Sequence, residues 1–147
     1  MTSSIRERLL QSVMAVLQPV AQANGAALIR SPPVGIPREQ SPALLVFPES
    51  DGIASRPNDR VERHLVLRLT ALARDQGNES AFLIADRLLV AAHAALFAQP
   101  NFDGLALGLM ELECEWDSED ADAVAAAIPA RYQVTYRTLA NDISTLG

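Results

Sequence analysis

The chain has 147 residues, 49% of them hydrophobic, which is enough for one domain with a sizeable core. The net charge is −6 and the acids gather late: residues 1–60 carry six arginines against five acids, residues 61–147 six against thirteen. That balance argues against a general nucleic-acid binder, which needs a basic face, and a single Cys114 excludes an internal disulfide.

The longest apolar run, Leu88 to Ala98, is interrupted by His93 and falls short of the ~20 residues of a membrane span. "MTSSIRERLL" puts charges where a secretory leader is apolar. The expectation is a soluble cytoplasmic protein with no membrane contact.

"SSIRERLLQSVMAVLQPVAQANG" reads as a helix. Ser4 and Glu7 have capping-box spacing, and Ile5, Leu9, Val13, Val16, Leu17 and Val20 recur at helical intervals. Asn24-Gly25 is a stop, and Pro19 is expected to bend or shorten the last turn. Arg30 to Pro42 holds four of the nine prolines and reads as a loop or extended arm. "ALLVF", Ala43 to Phe47, is apolar on both faces, as a buried strand is. Pro48 to Arg60 is polar and reads as a long flexible excursion, of the kind that often carries function.

"VERHLVLRLTALA" follows as a half-buried strand, with Val61, Leu65, Leu67, Leu69 and Ala71 in one phase. Glu79 to Ala98 is a second helix with an apolar stripe of Phe82, Ala85, Leu89, Ala92 and Leu96. "LALGLMELECEWD" alternates: Met110, Leu112, Cys114 and Trp116 are expected on the core face, and Glu111, Glu113, Glu115 and Asp117 on the outer one. In "AVAAAIPARYQVTYRT" strict period two from Val124 to Tyr136 predicts one long strand, with Pro129 at a bulge or on an edge. A turn in "SEDA" would set Asp117 opposite Ala123 and Leu112 opposite Ile128. The order helix, strand, strand, helix, strand, strand predicts one α+β domain over residues 1–147. It has a four-stranded antiparallel sheet, two helices on one face, and flexible loops at about 30–42 and 48–60.

"ELECEWDSEDAD", Glu111 to Asp122, packs seven carboxylates into twelve residues. Neighbours two apart on a strand face lie roughly 6.5–7 Å apart, and Mg²⁺ or Ca²⁺ needs several oxygens converging in a pocket. A flat ladder flanked by alanines offers neither convergence nor a partner base, so it reads as a solvated negative face. His64 and His93 read as surface or packed histidines, and Cys114 as a small core residue. There is no G-x-S-x-G, Walker loop or H-E-x-x-H. No catalytic, cofactor-binding or metal-ligating residue is assigned, and a non-enzymatic role is expected.

Segment by segment, the chain resembles the tail terminator (tail completion, or minor tail) proteins of long-tailed bacteriophages. The likeness lies in "SIRERLLQSVMAVL" leading into a Pro-rich arm, in "SPALLVFPESD" and "RHLVLRLTALARD" as the first strands, and in a helix ending in "FAQPNFDGLA". An acidic strand and a last strand closing with "VTYRTLANDISTL" complete it. The resemblance implies a structural virion protein without cofactors. Such a protein forms a hexameric ring on the head-proximal end of the tail tube, ends tube polymerisation and meets the head–tail connector while DNA passes through. Under it, Arg38, Glu39, Glu49, Asp51, Arg56, Asp59 and Arg60 are expected at subunit or tube interfaces; the resemblance does not place the acids, and Glu111, Glu113, Glu115 and Asp117 are set toward the lumen as a separate hypothesis, where negative charge would keep passing DNA from sticking. Two other readings are a head-closure (head–tail joining) protein and a small metal-dependent hydrolase using Glu111, Glu113 and Glu115.

Overall fold

The computed structural model describes residues 2–31, 41–116 and 125–147. Helix α1 (Ile5–Ala23) is followed by strands β1 (Ala27–Arg30), β2 (Ala43–Ser55) and β3 (Arg60–Arg74). Helix α2 (Ala81–Ala98) and strands β4 (Gly108–Leu112), β5 (Ala125–Leu139) and β6 (Asp142–Leu146) complete the chain. The four expected strands pair antiparallel in the order β2-β3-β5-β4. The full sheet is larger and mixed: β1 joins β2 in parallel and β6 pairs with β5, making six strands among the described residues. Both additions are short segments of 4 and 5 residues that lean on an existing edge, so neither has enough alternation to declare itself.

β5 keeps its period across all 15 residues, with Ala126, Ile128, Ala130, Tyr132, Val134 and Tyr136 buried. Pro129 faces Thr70 in an unbroken register with β3, so there is no bulge. On its other side β4 ends opposite Arg131, so among the described residues no ladder partner meets the missing proline N–H there. β3 presents Val61, Leu65, Leu67, Leu69, Ala71 and Ala73 to the same layer. Both helices lie on that side: His93 of α2 reaches Tyr132, and Arg6 of α1 reaches Asp51, which also accepts from Tyr136.

α1 is capped as read, with Ser4 Oγ accepting from the Glu7 amide at 3.1 Å. The Glu7 carboxylate does not close the box. It pairs instead with Arg30 of β1, two hydrogen bonds of 2.7 Å each, and so ties the helix to the sheet edge. Pro19 lies inside α1, which runs on to Ala23, so it does not shorten the helix. Gly25 follows at φ +61°, the left-handed residue that ends many helices.

The excursion expected at 48–60 is a strand for most of its length. β2 runs to Ser55 and leaves only Arg56–Asp59 for the turn. Its outer half is polar because it is exposed, while Ala43–Val46 are buried. A register irregularity between Pro48 and Ser50 accommodates the proline. Of the arm expected at 30–42, Arg30 belongs to β1, and residues 32–40 lie outside the described residues.

α2 begins at the Ser80 cap, whose Oγ accepts from the Leu83 amide. Its buried line is Ala81, Ala85, Leu88, Ala92 and Leu96. The expected stripe is therefore turned: Phe82 is 52% exposed, and Leu88 takes the inner place assigned to Leu89. Asp86 and Arg87 are the helix's only charged residues, so apolar side chains ring most of it and periodicity marks the inner side poorly. By length and composition α2 would suffice to cross a membrane; in this fold it packs on β3 and β5.

Candidate functional site

The acid-rich segment is arranged differently from the expected outer ladder. β4 meets β5 with Glu111 opposite Tyr132 and Leu112 opposite Arg131, not with Leu112 opposite Ile128. The register differs by three residues, and an odd slip exchanges the two faces of a strand. Glu111 and Leu109 therefore point to the helix side. Met110 points to the open side, where the Gln133 amide reaches its sulfur. Met110 and Trp116 are 52% and 54% exposed, and Cys114 is only partly covered, so the expected core face is not one. The strand stops at Leu112, leaving Glu113 and Glu115 exposed beyond it; Asp117 lies outside the described residues. The acids hence form no flat ladder. Among the described residues no three His, Cys, Asp or Glu side chains come together as a metal site would need.

What the inverted register builds is a cleft between α2 and β4, about 370 Å³, with a mostly apolar lining. Leu89, Val90 and Ala94 form the helix wall, and Ala130 and Tyr132 the sheet wall. Val90 is 62% exposed. Phe82 and Trp116, with ring centroids 6.1 Å apart, extend the apolar surface along the same helix. Asp86 and Glu111 stand in this lining, and neither has an ion-pair partner among the described residues. Glu111 remains exposed although it faces the helix layer, because β4 is an edge strand and the cleft is open there.

The floor is pinned by aromatic groups. His93 Nδ1 lies 2.8 Å from the Tyr132 hydroxyl, and the His93 ring packs on Phe97 and Tyr132 at 4.8 and 5.5 Å. Burial pushes the Tyr132 phenol up to about 12, and the nearby Glu111 carboxylate adds to the rise. Tyr132 is thus a neutral hydrogen-bond partner at ordinary pH, and His93 is a packed histidine, as read from sequence.

The residues expected at interfaces scatter. Glu49 sits on the uncovered sheet face between Arg68 and Arg131, which are opposite one another across β3 and β5. Its carboxylate reaches them at 3.7 and 2.9 Å. Two like charges in facing positions repel, so Glu49 relieves the sheet. His64 stands on that face too, 4.0 Å from Glu62, which also pairs with Arg137. The Asp51 side chain is 10% exposed, pairs with Arg6 and accepts from Tyr136. Burial first, and this hydrogen bond second, hold the Tyr136 phenol well above its usual range.

Asp59 and Arg60 pair with each other at 3.5 Å beside the β2–β3 turn. Arg56, at that turn, is exposed and has neither a carboxylate nor a hydrogen-bond partner among the described residues. Arg38 and Glu39 lie outside those residues. A second, more polar cleft of about 340 Å³ lies where Asn24, Ser41, Gln76 and Arg87 meet, with Arg87 already paired to Glu79 at 2.8 Å.

The α2–β4 cleft was missed by sequence reasoning. One signal for it existed: a helix with two charges in 18 residues has more apolar surface than one sheet face can cover. Chemically the cleft combines an apolar lining with two carboxylates, Asp86 and Glu111. In comparisons with known proteins, no family model and no curated protein matches the chain.

Proposed function

We propose that this protein caps the head-proximal end of a phage tail tube as a ring, stopping polymerisation and offering its other side to the capsid connector. One observation carries most of the reading: the outward side of α2, with Phe82, Leu83 and Val90 each more than half exposed, is continuous with an open apolar cleft. A surface of that kind marks a protein–protein contact. The segment-by-segment likeness to tail terminators supplies the identity of the partners: further copies of the chain, the tube protein and the connector protein.

Six copies, a seat in the virion tail and assembly in the host cytoplasm belong to the same proposal, as does a role without catalysis or cofactor. Glu113 and Glu115, exposed past the end of β4, are the acids assigned to the DNA passage, where negative charge keeps the polyanion moving. Glu111 is set in the cleft and is reassigned to subunit contact.

The test is tube growth. Tube protein from the same genome is allowed to polymerise while light scattering is followed, and the chain is added at a small fraction of the tube-protein concentration. Elongation should stop at a plateau set by the number of ends. Growth that continues at the unperturbed rate rejects the proposal.

A further inference from the structure

We infer that the α2–β4 cleft receives the β2–β3 turn of a second copy of this chain. The inference rests on the ring reading above and specifies its subunit contact. The cleft offers an apolar wall of Leu89, Val90 and Ala94, with two unneutralised carboxylates, Asp86 and Glu111. The turn offers the complement. Ile53 is 48% exposed there, Pro57 follows it, and Arg56 is the described arginine left with no partner. A guanidinium entering beside two carboxylates forms the charge-assisted pairs each side lacks.

The turn cannot fill the cleft of its own copy. Ile53 faces Arg63 on β3, whereas Tyr132 and Ala130 of the cleft wall face Leu67 and Leu69, further along the strand. At about 3.4 Å per residue the two patches lie ~14–20 Å apart along that strand alone. The patches are also unlike each other. A contact between unlike patches of identical subunits runs head to tail, and it closes into a ring when the rotation permits. A cap that ends a tube needs that closure, and a two-fold contact between like patches would not give it.

Disulfide trapping of full-length chains tests the contact even where association is weak. In a Cys114→Ser background, one chain carries Ala54→Cys beside the turn, and another carries Ala94→Cys in the cleft. A control chain carries Gln18→Cys on the exposed side of α1. Under mild oxidation the 54–94 pair should form at least tenfold faster than the 54–18 pair. Adding Arg56→Glu to the first chain should bring the rate down to the control, and Asp86→Arg in the second should recover it. Equal rates for 54–94 and 54–18, or a 54–94 rate indifferent to Arg56→Glu, overturn the contact and leave the cleft to a different partner.

The failures of the two proposals differ. An Arg56→Glu chain that still stops tube growth at wild-type concentration overturns the contact and leaves the capping reading standing. Fast 54–94 trapping by a chain that never stops tube growth supports the contact and rejects the capping reading.

Discussion

β4 and β5 are neighbours whose sequences both alternate, β4 from Met110 onward, yet only β5 buries its apolar phase. In β5 every second residue from Ala126 to Tyr136 is buried beneath the helices. In β4 the apolar phase, Met110 onward, turns away from the helices, and Glu111 turns toward them. The difference lies in what surrounds each strand. β5 is paired over its whole length with β3 and has a helix layer above it, so a slip would bury Arg131 and Gln133 and expose Tyr132 and Val134. β4 pairs through five residues at an edge, beside an open cleft where a carboxylate keeps its water. Alternation defines two faces, and burial has to choose between them.

Matched substitutions break that comparison most sharply. Val134→Asp, at a position with no exposure, places an unpaired charge in the core and should cost about 5 kcal/mol or more, abolishing the cooperative melt. Met110→Asp, on the neighbouring strand, should stay within about 0.5 kcal/mol in chemical denaturation. If both variants unfold, the observed register of β4 is refuted.

The two sides of α2 give the next contrast. Leu88→Ala at 2% exposure should lose about 3 kcal/mol, and Val90→Ala at 62% exposure nearly nothing. Similar losses at both positions would return the helix to the stripe read from sequence, centred on Phe82 and Leu89.

Removal of the Glu49 charge is expected to cost less. Glu49→Gln leaves Arg68 and Arg131 facing one another without a carboxylate, a loss of about 1 kcal/mol given that all three side chains are partly exposed. Added salt should narrow the gap between variant and wild type by screening the repulsion.

The smallest effect is a pH dependence. Tyr132 titrates higher folded than unfolded, so its contribution is fully present below pH 10 and is lost as pH rises through about 12. Tyr136 shifts in the same direction. Tyr132→Phe should therefore flatten part of the alkaline loss of stability, and leave the remainder to Tyr136. An unchanged alkaline profile would show that the cleft floor is not buried as described.

The elements legible in the sequence were those whose neighbours agreed with them. Ser4 caps its helix by its own side chain, a local matter, and β3 and β5 are long enough to state their period. The extended half of β2 was not legible, because Glu49 to Ser55 show no steady alternation of apolar and polar residues while their backbone pairs with β3. β1 and β6 are too short to show a period before an edge receives them. Glu7 illustrates the same limit within a helix: spacing put its carboxylate in a capping box, and Arg30, 23 residues away, took it. The cleft required two such distant facts at once, the face of β4 and the rotation of α2, and composition alone gave only its excess of apolar surface.

Electron microscopy of tail tubes tests the proposed ring cap. Tubes assembled from the tube protein of the same genome would be incubated with the chain bearing a gold label, then imaged end by end. One labelled ring of six copies should sit at a single end of each tube, with tube length fixed after its arrival. Bare ends, or label scattered along the tube walls, would contradict the ring cap.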